Sequence, residues 1–203
     1  MMQKEARLEV IAGTMFGGKS SELIRRIKRH EILGRKVQVF GPSIDTRYGK
    51  NSITSHDQLK REASYVSSAR ELEEILSPAA QVIGIDEIQF FESPIIETCE
   101  RYAGQGKIVI AAGLLKDFRD EYFPFRDGNK TMSDLLKAAD ITTILTAICD
   151  AQDEAGEICG NDASRVQRFL DGQVAPYDSP VVQVGGKESY APRCRQHYQF
   201  YRH

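Results

Sequence analysis

Apolar positions along this chain follow two rhythms. Short continuous runs at Leu8 to Ala12, Lys36 to Phe40, Gln81 to Ile85, Lys107 to Ala112 and Ile141 to Ile148 are bounded by Gly, Pro or polar residues, and they predict buried strands. Between them the spacing changes to that of helices. Leu23, Ile24, Ile27, Ile32 and Leu33 form a stripe that Gly34 ends. Ala69, Leu72, Ile75 and Leu76 form another, capped by Ser67 or Ser68 and stopped before Pro78. A third helix starts near Ser93-Pro94, carries Ile95, Ile96, Cys99 and Tyr102, and stops at Gly104 or Gly106; Thr131 to Ala138 is a fourth. Ser64 to Val66 reads as a short strand. Strands alternating with helices long enough for parallel crossovers predict an α/β fold with helices on both faces of a parallel sheet.

Two stretches break the rhythm. Ser43 to Arg61 is polar and aperiodic, with Asp45, Thr46, Arg47, Tyr48, His56 and Asp57, and Gly113 to Lys130 is a long loop rich in Asp, Arg, Phe and Gly. Irregular segments of this length inside a compact domain are usually functional or mobile. From residue 149 on, long periodic elements give way to Cys, Gly, Pro and short β-like runs at Pro180 to Val184 and Tyr198 to Tyr201. The expected division is residues 1–148 and 149–203.

Between the first strand and the first helix stands Gly13-Thr14-Met15-Phe16-Gly17-Gly18-Lys19-Ser20, the GxxxxGK[ST] pattern of a phosphate-binding loop. Its glycines let backbone N–H groups converge on a polyphosphate, and the helix that follows adds its positive dipole end. Lys19 would reach the terminal phosphates and the Ser20 hydroxyl would hold Mg²⁺. A plain glycine-rich surface turn is the alternative. Asp86-Glu87-Ile88-Gln89 closes a buried strand on the ligand-binding edge of the same sheet. There Asp86 suits the organisation of Mg²⁺, and Glu87, projecting differently because strand side chains alternate, is a candidate general base if a hydroxyl lies beside the terminal phosphate. Gln89 could position either group. The competing reading is that both carboxylates merely cap the next helix.

Cys149, Cys159, Cys194 and His197 supply the donors of a closed, structural zinc site, and Cys194-Arg195-Gln196-His197 has knuckle spacing. The Cys149 to Cys159 interval is wider than usual, and scattered buried thiols are the alternative. Cys99, on an apolar helix face, is assigned that way. Composition narrows the classes further. The chain of 203 residues is 41% hydrophobic and 28% charged with a formal net charge of −2, which gives no sign of a polyanion-binding surface. No apolar run approaches membrane-spanning length, and Met1 to Arg7 lacks a signal-peptide core, so a soluble, cytoplasmic protein is expected.

Taken together these motifs resemble the type II thymidine kinases, the compact zinc-containing form. The resemblance runs through Gly13 to Ser20, Asp45-x-Arg47-Tyr48, Ser55-His56, Ile85-Asp86-Glu87-x-Gln89-Phe90-Phe91, Gly113-Leu114, Asp117-Phe118-Arg119, Pro124-Phe125, Val184-Gly185-Gly186-x-Glu188-x-Tyr190 and Cys194-Arg195-x-His197-Tyr198. It implies a P-loop NTPase-like, RecA-like sheet with a small zinc-binding domain carrying a lasso loop. It also implies transfer of the γ-phosphate of ATP to thymidine, and to deoxyuridine less well. ATP would lie against Gly13 to Ser20 and Asp86, Glu87, Ile88 and Gln89, with Mg²⁺ at Ser20 and Asp86. Glu87 would take the proton of the 5′-hydroxyl. Phe118 would stack on the pyrimidine, Met15 and Leu114 would line its pocket, and Val181, Val182, Gln183, Val184 and Gly185 with Tyr190 would close over thymidine. Family members are typically homotetramers inhibited by thymidine triphosphate.

Four features depart from the family pattern. Gln152 occupies the usual second cysteine position, so that Cys159 implies an insertion of about seven residues, with Asp153 or water as a substitute ligand. Val166 replaces a threonine, Leu115 replaces an acidic residue, and the stretch from Phe118 to Pro124 is about two residues longer. A regulatory nucleotide-binding protein without turnover and a zinc-ribbon ATPase driven by nucleic acid are the alternatives; the near-neutral charge disfavours the second.

Overall fold

The computed structural model describes residues 6–43, 52–54, 60–183, 185–186 and 188–201. Asp45, Arg47, Tyr48, Ser55, His56 and Val184 lie outside the described residues. In chain order the elements are β1 (Arg7–Gly13), α1 (Lys19–Ile32), β2 (Val37–Pro42), β3 (Ser52–Thr54), β4 (Lys60–Glu62), β5 (Ser64–Val66), α2 (Ala69–Ile75), β6 (Val82–Ile85), α3 (Ile95–Gly104), β7 (Ile108–Leu114), α4 (Met132–Ala138), β8 (Ile141–Leu145), β9 (Ala147–Ile148), β10 (Asp162–Ala163), β11 (Arg165–Leu170), β12 (Gln173–Val174) and β13 (Tyr190–Arg193). A single 3₁₀ turn, Ile88–Phe90, follows β6.

Six strands pair in the order β5-β2-β6-β7-β1-β8, all parallel. The pleat divides β1 between two cores. Leu8, Val10 and Ala12 face a layer built with Leu72 of α2, Ile95, Ile96 and Cys99 of α3, and Met132 and Leu135 of α4. Ile11 faces Leu23, Ile24 and Ile27 of α1. Burial on both faces explains why these strands read as continuous apolar runs. Helices cover both sides of the sheet, as expected for a P-loop NTPase-like architecture. Among the described residues no helix is long and apolar enough to cross a membrane.

Two sequence expectations change. The run from Ile141 to Ile148 is not one core strand. β8 is the sheet edge with Ile141 and Ile144 exposed, and after Thr146 the chain turns away so that β9 pairs antiparallel with β10. Likewise neither Pro180 to Gln183 nor Tyr198 to Tyr201 forms a strand; the extended pairing of this region lies in β12-β11-β13. The β9-β10 unit meets the end of β1, where the Thr14 hydroxyl bonds the Ala163 carbonyl of β10, and the β11 sheet packs Val166 on Phe118 from the loop after β7; β6 leads into Asp86.

Candidate active site and metal centre

The loop after β1 is held against the edge strand. Leu145 of the edge strand accepts a hydrogen bond from the Thr14 N–H at 3.2 Å. A Cβ at Gly13 would lie 2.2 Å from that same Leu145 carbonyl oxygen, so only glycine permits the approach of β1 to β8. Phe16 and Gly18 both have left-handed backbone, φ 66° and 77°, which folds the chain back into α1. Of the α1 stripe expected from the sequence, Leu23, Ile24 and Ile27 are buried against the sheet, while Ile32 and Leu33 at the end of the helix are exposed; Arg25 and Arg26 pair with Glu22, and Arg26 also reaches Glu9 of β1 at 2.7 Å.

Five polar side chains converge inside this frame. The Lys19 ammonium, buried, donates to the Thr14 carbonyl at 2.8 Å. Burial pulls its pKa below the ordinary lysine value, and the Glu87 and Asp86 carboxylates pull it partly back. Ser20 donates its hydroxyl hydrogen to Asp86 Oδ2 at 2.8 Å. Burial and the adjacent Glu87 charge push the Asp86 carboxyl up to about 7, against the hydrogen bonds from Ser20 and the Glu87 N–H. Glu87 stands at the end of β6 in a left-handed conformation, φ 48°, so its direction comes from that backbone turn and not from strand alternation. Gln89 clasps it. Its amide Nε2 donates to Glu87 Oε2 at 2.6 Å while its Oε1 accepts from the Leu114 N–H at 3.1 Å. Glu87 makes no side-chain capping bond to the turn that follows.

Phe118, from the loop after β7, is buried with Val166, Ala175 and Tyr190, and Met15, Phe16, Leu170 and Tyr201 pack against them. Leu114 and Val181 instead pack on the core of the large sheet. The loop that carries Phe118 is longer than the resemblance suggests and is organised by Asp117. Its buried carboxylate accepts from the Arg119 and Glu121 N–H groups at 2.8 and 3.2 Å and pairs with the Arg119 guanidinium. Tyr190, on β13, donates its phenol to the Gln183 carbonyl at 2.9 Å, and Val182 and Gln183 are exposed. Sequence reasoning missed Arg168. Its side chain is fully buried, with the guanidinium 4.5 Å from the Phe118 ring centroid and Nη1 donating to the Pro180 carbonyl at 2.5 Å. In β11 the polar Arg165, Gln167 and Arg168 are all buried, so no alternation in the sequence singled Arg168 out.

The donor atoms of Cys149, Cys159, Cys194 and His197 all lie within 4.8 Å of one another. Cys149 and Cys194 sulfurs stand 3.6 and 3.4 Å from His197 Nδ1, and Cys159 Sγ is 3.9 Å from Cys194 Sγ. A tetrahedral zinc with bonds near 2.3 Å to sulfur and about 2.05 Å to nitrogen needs S–S edges of about 3.8 Å and S–N edges of about 3.6 Å. The residues present fit that ion. The wide Cys149 to Cys159 interval is a small hairpin, with Gln152 paired antiparallel to Ile158, and it returns Cys159 to the cluster. Asp153 is no ligand; its Oδ1 accepts from the Ala155 and Glu157 N–H groups, each at 2.9 Å, and shapes the hairpin tip. Burial raises the Cys194 thiol, but the His197 and Gln196 N–H groups and the neighbouring thiols outweigh it and bring it down to about 6. Cys99 lies apart in the core, its thiol pushed up to about 12 by burial.

A phosphate-loop lysine, a clasped carboxylate and a Cys₃His cluster thus stand in one molecule. A sequence-family model described as thymidine kinase matches residues 6–198. The chain belongs to the thymidine kinase family. A thymidine kinase of Thermococcus kodakarensis (strain ATCC BAA-918 / JCM 12380 / KOD1) is 42% identical over 196 residues, covering 94% of this chain and 93% of that relative. Among solved structures, domain III of the Thermotoga maritima replication initiation protein DnaA aligns with a TM-score of 0.42 at 13% identity, over 72% of this chain and 57% of that one. The Legionella pneumophila ATPase DotB aligns with a TM-score of 0.40 at 16% identity, over 66% and 34%.

Proposed function

We propose that this member of the thymidine kinase family transfers the terminal phosphate of ATP to the 5′-hydroxyl of thymidine, and less well of deoxyuridine. In this reading the oxygen–phosphorus bond to the acceptor forms as the bond to the β-phosphate bridging oxygen breaks. Glu87 accepts the hydroxyl proton and ADP leaves. The loop Gly13 to Ser20 with Lys19 binds the phosphates. Ser20 and Asp86 would hold Mg²⁺, whose contribution is to neutralise phosphate charge. Phe118, Met15 and Leu114 would receive the base, and Val181 to Gly185 with Tyr190 would close over it. Residues 1–148 would form the donor site, and 149–203 the zinc knuckle and lasso, with zinc at Cys149, Cys159, Cys194 and His197. Thymidine triphosphate as feedback inhibitor, a homotetramer and a cytoplasmic location complete the proposal.

The observation that carries these roles is the Gln89 clasp. It fixes the Glu87 carboxylate, as a hydrogen-bond acceptor, beside the buried Lys19 and Asp86. The test is Mg²⁺-dependent phosphate transfer from ATP to a panel of nucleosides, with the intact chain and with Glu87→Gln. Thymidine is expected to be the best acceptor. The variant should lose about 10²- to 10⁴-fold in turnover while its ATP affinity is retained. Undiminished turnover in Glu87→Gln overturns the assignment of the base. ATP binding without transfer to any nucleoside supports a regulatory role instead.

A further inference from the structure

Two residues of the phosphate loop make contacts that phosphate binding does not require. The Thr14 hydroxyl donates to the Ala163 carbonyl at 2.8 Å, and both groups are buried. Ala163 belongs to β10, whose partner β9 runs directly into Cys149. Two residues after Thr14, Phe16 is held in left-handed backbone, a conformation a bulky side chain adopts only when its surroundings enforce it. Those surroundings are the metal-binding lobe. Phe16 packs on the cluster of Ala147, Cys149, Ala163 and Cys194, and on its other side against Phe118, Val166, Ala175 and Tyr190. That first cluster contains three of the four proposed metal ligands, counting Cys159 packed against it, and little other apolar mass.

We infer that Thr14 and Phe16 are positioning residues that couple the metal knuckle to the nucleotide site. An ion that orders Cys149, Cys159 and Cys194 fixes the carbonyl and the apolar wall on which the phosphate loop hangs. Loss of the ion therefore weakens nucleotide binding directly, in addition to any effect on the lasso segment. Linkage makes the effect reciprocal: whatever nucleotide affinity gains from the metal, metal retention gains from bound nucleotide. The inference rests on the reading of Gly13 to Ser20 as the ATP site.

The experiment measures zinc release from the full-length zinc-loaded protein to a chromogenic chelator, with and without saturating non-hydrolysable ATP analogue and Mg²⁺. Analogue affinity is measured alongside by calorimetry. Several-fold slower release with analogue bound is expected in the wild type. Thr14→Val, which keeps the shape and removes the hydroxyl, should bring that ratio close to one and weaken the analogue several-fold, with thymidine affinity unchanged. Thr14→Ser should restore both. Phe16→Leu provides a second variant through the packing arm and should also lower the ratio. Analogue binding that leaves zinc release unaltered in the wild type overturns the coupling and leaves the nucleotide site standing. Equal ratios in wild type and Thr14→Val overturn the role of the hydroxyl. Failure of the intact protein to bind the analogue at all overturns the parent reading, and the coupling with it.

Discussion

Replacing Gln89 with methionine tests how the site is held together. The two side chains have similar volume, and position 89 is 1% exposed, so the change removes hydrogen bonds without opening a cavity. Two bonds disappear: the 2.6 Å bond to the Glu87 carboxylate and the 3.1 Å bond from the Leu114 N–H. A hydrogen bond to a charged group contributes about 1.5 to 3 kcal/mol and a neutral one about 0.5 to 1.5 kcal/mol, so unfolding free energy should fall by roughly 2 to 4 kcal/mol. Catalysis separates from stability at this point. If the clasp orients Glu87 for proton transfer, the loss of the charged bond alone lowers kcat by roughly 10- to 150-fold, since 1.4 kcal/mol is a factor of ten. KM for ATP should stay near its wild-type value, because among the described residues Gln89 hydrogen-bonds Glu87 and Leu114 and neither Lys19 nor the phosphate loop. The assay pairs steady-state kinetics for both substrates with urea unfolding at the same temperature. A variant that loses stability as calculated but turns over normally would refute the claim that Gln89 positions the base.

Three other outcomes follow from particular residues. Cys159→Ser should lower bound zinc from one ion per chain, measured by atomic absorption. It should also lower Tm by roughly 10 °C, corresponding to a loss of about 3 kcal/mol or more at 2 to 4 °C per kcal/mol, whereas Gln152→Ala should change neither. Asp86 is raised from 3.8 to about 7, so the folded protein binds its proton more tightly than the unfolded chain does. Its stabilising contribution is therefore complete below about pH 4 and lost as pH rises through 7, and Asp86→Asn should flatten that part of the urea-stability profile relative to wild type. Gly84→Ala would place a Cβ 2.8 Å from Ile27 Cδ1 and 3.4 Å from both Val39 methyls, so about 1 to 3 kcal/mol of destabilisation is expected in urea unfolding, with KM values unchanged.

The large sheet was legible because its central strands β1, β6 and β7 are buried on two faces and bounded by turn residues, and the phosphate loop was legible because its chemistry demands particular residues at fixed spacing. Position within the sheet was not. Ile141 and Ile144 lie in an apolar run like those of the central strands, yet they are exposed on the edge, a difference that depends on which strands pair and not on local pattern. Glu87 does project apart from Asp86, but the cause lies outside the strand: its left-handed backbone is set by a turn, which a strand's pleat cannot foretell. In the small lobe, paired segments as short as Ala147–Ile148 and Asp162–Ala163 carry no periodic signal. Cys159 was legible through its donor chemistry, and the hairpin closed by Gln152 and Ile158 brings it back to Cys149. Arg168 escaped notice because its partners, Phe118 and Pro180, come from loops far along the chain on either side of it.

These differences have one physical source. The large sheet specifies itself through apolar area, and its sequence pattern reports that directly. The lobe that contains Cys149 through His197 divides its buried area between a cluster of Val166, Ala175 and Tyr190 around Phe118 and a small one in which two proposed ligands, Cys149 and Cys194, join Ala147 and Ala163. An ion there would add to so small a core, as structural metals commonly do for small irregular segments. Yet Thr14 and Phe16 lean on that same cluster, so the best-specified motif in the sequence takes part of its geometry from the least-specified region. The phosphate loop is fixed on one side by Leu145 of the self-sufficient sheet and on the other by Ala163 of the lobe that carries the Cys₃His cluster. Substitutions on the sheet side should therefore act through folding stability, and those on the lobe side should act through metal occupancy, so the two groups can be told apart by whether excess zinc restores nucleotide affinity.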